Sequence, residues 1–377
     1  MIDDVHLTHG LAGDELEPDW PPLVAPEVGV VLEHYPQLGG LRALAWRSPR
    51  PLSAAALVDT AQGRVFMKRH HRSVRTPAQL EEEHHFSAHL RARSMPVPRV
   101  LAMEDGATVL KQGQWVYEIH DPARGRDIYR DAFSWSPIGG VKHAWAAGAM
   151  LGRLHLAAEG YDAPQRSTDI LVARAEILSD PDPVASMADQ LAHRPHLDAY
   201  LRRHDWKTQV STAIAPWHRS AWDGIAHQAP LWTHGDWHVS NLCWSDDGDA
   251  ATITDVLDFG LSARTFALFD LATAIERNAI AWLDVARGDI ARTDLALALL
   301  RGYRSVRPLT AEDVALLADV LPLVHIDFAL SEVEYFEGIT RRPDHADVAY
   351  HTFLRGHAAW FAGPYGRAFL DFLRYAV

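Results

Sequence analysis

The period of apolar and polar positions changes along the chain, and the change divides it. Residues 1 to about 26 set Pro18, Pro21, Pro22 and Pro26 among acidic side chains and predict an irregular lead-in. Glu27 to Tyr35 has helical spacing and is stopped by Pro36 and Gly39-Gly40. From Leu41 the segments shorten. Leu41–Trp46, Ala54–Asp59 and Arg64–Arg69 are separated by Pro49/Pro51 and by Gln62-Gly63, which predicts a three-stranded meander with a tight second hairpin. Leu80 to Arg93 predicts a helix with Leu80, Glu83, Phe86 and Leu90 along one stripe, ended by Pro96-Val97-Pro98. Thr108–Lys111 and Trp115–Ile119 predict a further hairpin about Gln112-Gly113.

Beyond Pro122 the pattern is helical: His143–Glu159, then about 183–202, 206–226, 266–286, 290–306 and 311–337, the last broken at Pro322. Only Leu242–Trp244 and Thr252–Leu257 interrupt it, as a β-hairpin about Asp246-Asp247-Gly248. The sum is an α+β chain with a lead-in and helix over residues 1–40, a β-rich lobe over 41–120 and a helical lobe over 121–377.

Composition narrows the reading. A chain of 377 residues exceeds one comfortable core, and 48% apolar with 23% charged residues is the balance of a soluble globular protein. No apolar run approaches the roughly 18 residues of a membrane span, since even Val314–Val324 contains Asp319. The start, Met1-Ile2-Asp3-Asp4, lacks the basic and apolar regions of a signal peptide. A single cysteine, Cys243, allows no internal disulfide and fits a reducing cytoplasm. A formal charge of −13 argues against nucleic acid as a partner. It suits a cationic substrate, and equally suits plain solubility. The oligomeric state stays open.

The chemistry concentrates in His234-Gly235-Asp236-Trp237-His238-Val239-Ser240-Asn241, followed seventeen residues after Asn241 by Asp258-Phe259-Gly260. This pair of motifs resembles the HGDxxxxN loop and metal-binding Asp of the aminoglycoside phosphotransferase and choline kinase family, a relative of the protein-kinase H-R-D-x-x-x-x-N and D-F-G set. The resemblance implies a bilobal protein-kinase-like fold and an ATP- and Mg²⁺-dependent transfer to a small-molecule hydroxyl. Asp236 would orient the acceptor hydroxyl, while Asn241 and Asp258 would hold Mg²⁺. His234 would tie the loop to the D-F-G backbone, and Asp270 in Asp270-Leu271-Ala272 would brace it. Upstream, Lys68 ends the third strand where the family places the lysine that grips the α- and β-phosphates. Glu83, on the apolar stripe of the next helix, is its expected ion-pair partner.

The likeness covers about residues 40 to 275 and departs from the family in one place. The loop Ser48-Pro49-Arg50-Pro51-Leu52-Ser53 has no glycine, so Ser48, Ser53 or Arg50 would have to replace backbone donors to phosphate. Cys243 reads as a small apolar strand residue, and no histidine cluster has the sequence spacing of a zinc site. The acceptor is expected among aminoglycosides, amino alcohols, homoserine and sugars. On the helix near 327–337, Asp327, Ser331 and Glu334 fall on one face, which is either a carboxylate patch for an ammonium group or a solvated surface. Two further readings share the fold: a nucleotide-binding pseudokinase, and a serine/threonine protein kinase. The complete set Lys68, Glu83, Asp236, Asn241 and Asp258 favours an active enzyme.

Overall fold

The computed structural model describes residues 8, 9, 15, 16, 18–48, 50–130, 132 and 135–376. Pro49, within the glycine-free loop, lies outside them. A helix, α1 (Ala25–Leu32), leads into three antiparallel strands, β1 (Leu41–Arg47), β2 (Ala54–Thr60) and β3 (Gly63–His71). Helix α2 (Pro77–Ala92) follows, then β4 (Leu110–Gln112) and β5 (Trp115–His120). The strands form one sheet in the order β1-β2-β3-β5-β4. Its register sets Lys68 opposite Ala55 on one side and Glu118 on the other, which brings both charged groups to one face. Helix α2 starts three residues earlier than its hydrophobic stripe, because Thr76 and Gln79 close a capping box ahead of Pro77. Helix α1 is no detached lead-in. Val28, Val31 and Leu32 share a core with Val58, Met67 and Ile119, and Glu27 takes hydrogen bonds from Arg69 (2.6 Å) and Tyr117 (2.7 Å).

The rest of the chain is mainly helical. Helix α3 (Val141–Ala158) crosses α8 (Thr293–Arg304) at very close range. A Cβ on Gly148 would lie 1.9 Å from the carbonyl oxygen of Leu299, and one on Gly302 would lie 1.9 Å from that of Trp145, so both positions need glycine. The span 183–202 splits into α4 (Pro183–Gln190) and α5 (Pro195–Leu201). The span 206–226 is one helix, α6, despite Pro216. Two short antiparallel pairs frame residues 234–241: β6 (Pro230–Thr233) pairs with β9 (Ala263–Phe266), and β7 (Leu242–Trp244) with β8 (Ile253–Val256). Helix α7 (Ala267–Ala279) follows at once.

Residues 311–340 are long and apolar enough to cross a membrane by length and composition. Most of it is buried inside the fold instead, as α9 (Ala311–Val320) and α10 (His325–Tyr335) with a break at Leu321–Val324. Three helices, α11 (Pro343–Asp347), α12 (His357–Ala362) and α13 (Pro364–Arg374), close the fold.

Candidate active site

The segment between β6 and β7 is built as a rigid hairpin of hydrogen bonds. Asp270, fully buried on α7, accepts from the backbone N–H groups of His234 (2.9 Å) and Gly235 (2.9 Å) and from Nε2 of His155 (3.0 Å). Tyr303 donates to Nδ1 of His155 (2.8 Å), so the neighbouring helix fixes that ring's tautomer. Burial alone would raise the pKa of Asp270; these donors hold it below the ordinary carboxylate value. His234 donates from Nε2 to the carbonyl of Leu257 (2.9 Å), and its Nδ1 accepts from the N–H of Asp236 (3.2 Å). Gly235 has φ +78°, and a Cβ there would lie 2.5 Å from the carbonyl oxygen of Leu261. Glycine is therefore required between the histidine and the aspartate. Asp270 and His234 thus hold the loop and reach no open space.

The residues that do reach open space converge where two cavities meet. The first, of about 400 Å³, lies between the sheet and the β7–β8 hairpin and is lined by Ser48, Ser53, Lys68, Glu83, Glu118, His120, Asn241 and Asp258. The second, of about 480 Å³, lies between the catalytic loop and α10, with Asp236, Arg277, Trp135, Phe328, Glu332 and Phe336 among its walls. Arg50, Ser53, Lys68, Ser240, Asn241 and Asp258 border both.

At that junction Asn241 donates from Nδ2 to the side chain of Asp236 (3.0 Å) and to its backbone carbonyl (2.9 Å). The amide oxygen of Asn241 is left as the group able to take a cation. Asp258 has φ +54° and accepts from Lys68 Nζ (2.9 Å) and from the N–H of Gly260 (3.3 Å). Desolvation would raise its pKa, but the charge and hydrogen bond of Lys68 hold it at about 2. Burial would likewise lower the pKa of Lys68, and the carboxylates of Asp258, Glu118 and Glu83 outweigh that and keep it above its ordinary value. The lysine's direct partner is therefore Asp258. Glu83 is buried on the same cavity with Oε2 unpartnered, and no ion pair joins it to Lys68. In the glycine-free loop, Arg50 enters both cavities, and Asp236, Asp127 and Asp258 all act on its charge. Hard oxygen donors on Asp258 and Asn241 suit Mg²⁺, which fills its remaining positions with phosphate and water oxygens.

The acidic face on α10 is a correction. Asp327 and Glu334 are buried against Arg194, which lies 3.6 Å from Asp327 Oδ1 and donates to Glu334 Oε2 at 2.7 Å. Ser331 accepts from the backbone of Leu171. Neither carboxylate lines either cavity. A helix turns about 100° per residue, so the face carrying Glu334 lies opposite the one carrying Glu332. It is the stripe Phe328, Glu332, Phe336 that faces the second cavity. The chain could not reveal this, because the partner of Glu334 is an arginine 140 residues away in the break between α4 and α5.

Sequence reasoning also missed Arg277. Its guanidinium sits 3.9 Å from the ring centre of Trp135 and 3.9 Å from Asp236 Oδ1, on the wall of the second cavity. The only available signal was its place near the end of the helix that follows the D-F-G segment. Burial pushes the pKa of Glu332 up to about 8, against the pull of Arg277 and with that of Asp236. Cys243 is buried on β7, and burial raises its thiol to about 12, far from a nucleophile's range.

The sequence model of the phosphotransferase enzyme family matches residues 52–309. A homoserine kinase of Acidiphilium cryptum is 27% identical over 294 residues, covering 74% of this chain and 78% of its own. Among solved structures, a microcompartment-associated aminopropanol kinase superposes with a TM-score of 0.56 at 16% identity, over 94% of this chain and 100% of its own. An amicoumacin kinase solved with AMP-PNP and Ca²⁺ gives 0.53 at 14% identity, over 92% of each chain.

Proposed function

The chain belongs to the phosphotransferase enzyme family, with its α+β protein-kinase-like fold, and we propose that it moves the γ-phosphoryl group of ATP to the hydroxyl of a small amino acid or amino alcohol. The observation that carries this reading is the meeting of Asp236, Asn241, Asp258 and Lys68 at the junction of two cavities. Phosphoryl transfer asks the protein to align a hydroxyl and to neutralise charge, and these four groups do both.

The cavity under the sheet takes the nucleotide, with Lys68, Arg50 and the hydroxyls of Ser48 and Ser53 toward phosphate. Asp258 and Asn241 would hold Mg²⁺, which when bound supplies positive charge to the β- and γ-phosphates. Lys68 leaves Asp258 as phosphate arrives, since each is the other's counter-ion only until then. Asp236 accepts a hydrogen bond from the acceptor hydroxyl and turns its oxygen toward phosphorus. The hydrogen bond from Asn241 and the guanidinium of Arg277 keep the Asp236 carboxylate in place.

The second cavity reads as the acceptor site. It offers a carboxyl group and a cation, Glu332 and Arg277, between the aromatic walls of Trp135, Phe328 and Phe336. An ammonium would meet Glu332 and a carboxylate, where the acceptor has one, would meet Arg277. The homoserine kinase relative and the aminopropanol kinase neighbour handle compounds of this kind. A cytoplasmic location is part of the same reading, since a reducing compartment would keep the thiol of Cys243 free. The test is ADP release from Mg²⁺-ATP across a panel of hydroxyl amino acids, amino alcohols, aminoglycosides and sugars. Stimulation by the first two classes supports the assignment; stimulation by neutral sugars alone overturns the acceptor reading.

A further inference from the structure

Three histidines from three different elements close on one buried carboxylate beside the nucleotide cavity. Glu118, on β5 and only 1% exposed, meets Nε2 of His70 on β3 (3.0 Å) with Oε1. Its Oε2 meets Nε2 of His84 on α2 (2.7 Å) and Nε2 of His120 on β5 (2.9 Å). One donor atom each from His84, Glu118 and His120 fall within 4.8 Å of one another. The three are scattered over 37 residues of sequence, which is why spacing along the chain gave no sign of them. Alternation along β5 sets Glu118 and His120 on one face, and the packing of α2 on the sheet brings His84 to them.

We propose that His84, His120 and Glu118 form a binding site for a divalent transition metal, zinc being the ion their donor set suits best. Two imidazole nitrogens and one carboxylate oxygen are ordinary zinc ligands, and bonds of about 2.0–2.1 Å place such donors roughly 3.3 Å apart. The two carboxylate–imidazole pairs, at 2.7 and 2.9 Å, need to open by only about half an ångström to reach that separation, and the two imidazole nitrogens already lie within 4.8 Å of one another. Supporting groups are present as well. Thr108 Oγ1 lies 2.8 Å from Nδ1 of His84, able to accept its N–H once Nε2 is given to a metal. His70 holds the second carboxylate oxygen and so orients the first. In the metal-free arrangement the same contacts are satisfied by N–H groups donated to the carboxylate, so binding needs a shift of tautomer and no unfolding.

Three protein ligands leave a fourth position open. His120, with 21% of its side chain exposed, and Glu118 both line the cavity beneath the sheet, so the open position faces the nucleotide side. A bound ion would bridge β5 to α2 one residue from Glu83, fixing the helix that carries that carboxylate next to Lys68.

The test uses the purified full chain stripped of metal and titrated with Co²⁺, read by its visible d–d bands, then back-titrated with Zn²⁺. One equivalent of Co²⁺ with four-coordinate bands, displaced by one equivalent of Zn²⁺ and unaffected by millimolar Mg²⁺, is expected. His84→Ala and His120→Asn should remove the bands, and His70→Gln should weaken binding about ten- to a hundredfold. Circular dichroism establishes that each variant is folded; His120 sits at the half-open rim, where substitution disturbs least. The cluster His204, Asp347 and His351, away from the sheet, is the internal competitor, and it is more exposed. Loss of the bands in His351→Ala, unchanged binding in the folded His84 and His120 variants, or no bands in the parent would each overturn the proposal.

Discussion

Nζ of Lys68 lies 2.9 Å from Oδ1 of Asp258, so the cation proposed to take phosphate and the carboxylate proposed to hold metal neutralise one another across the cleft. The two come from β3 and from the segment after β8, 190 residues apart in sequence. Their pairing explains why Asp258 tolerates a positive φ: the loop is held open by Lys68 on one side and by Gly260 on the other.

Replacing Asp258 should therefore separate chemistry from folding. Asp258→Ala is expected to abolish Mg²⁺-dependent turnover while the melting curve stays close to the parent's, because Glu83 and Glu118 remain near Lys68. ADP release measured beside a thermal melt decides it; turnover equal to the parent's would remove Asp258 from the metal.

Asp236→Asn keeps shape but loses charge, and Asn241 and Arg277 both address that charge. A fall in kcat of about a hundredfold or more is expected, with little change in KM for ATP. Steady-state kinetics in both substrates read this directly. An effect confined to KM for ATP would move Asp236 to the nucleotide side.

What could be read from the chain follows a physical line. Strands β1–β5, helix α6 and the catalytic hairpin announce themselves through local period and turn residues, and the motif His234 to Asn241 carries its own spacing. Glu83 sits on the stripe facing the sheet, yet the bond to Lys68 depends on which carboxylate the cleft brings nearer, and that is a tertiary matter. The face of α10 was open for the same reason. Asp327 and Glu334 look like any acidic surface until Arg194 is placed between them, and Arg194 is buried only because the span 183–202 breaks there. Arg277 and Glu332 carry no sequence signature; they become a pair by facing one cavity.

The buried contacts of Arg194 with Asp327 and Glu334 tie α10 to the start of α5. Glu334→Gln leaves the buried guanidinium of Arg194 with the more distant Asp327 as its remaining carboxylate partner, and a loss of stability of about 3 kcal/mol is expected. KM for the acceptor should not move. Chemical denaturation measures the first and kinetics the second. A folded Glu334→Gln enzyme of parental stability with a raised acceptor KM would return this residue to the substrate site.

Glu332 gives the sharpest reading of the acceptor, through pH. Burial raises its pKa to about 8, so in the empty site it is neutral at lower pH and becomes a carboxylate as pH rises through that value. An ammonium-bearing acceptor binds the carboxylate and not the neutral acid. Its kcat/KM should accordingly climb with pH through about 8 and level off above, until the acceptor's own amine loses its proton. The bound ammonium offsets the burial penalty, so the inflection seen at saturating acceptor should lie lower than that seen in kcat/KM. Glu332→Gln should flatten the climb and raise acceptor KM roughly tenfold or more while sparing KM for ATP, since the lost contact is a charge-assisted hydrogen bond of about 1.5–3 kcal/mol. Neighbouring charges on Arg277 and Asp236 pull in opposite directions and both persist in the variant, so the flattening isolates Glu332 itself. A pH profile identical in parent and variant would show that the ammonium is bound elsewhere, or that the acceptor carries none.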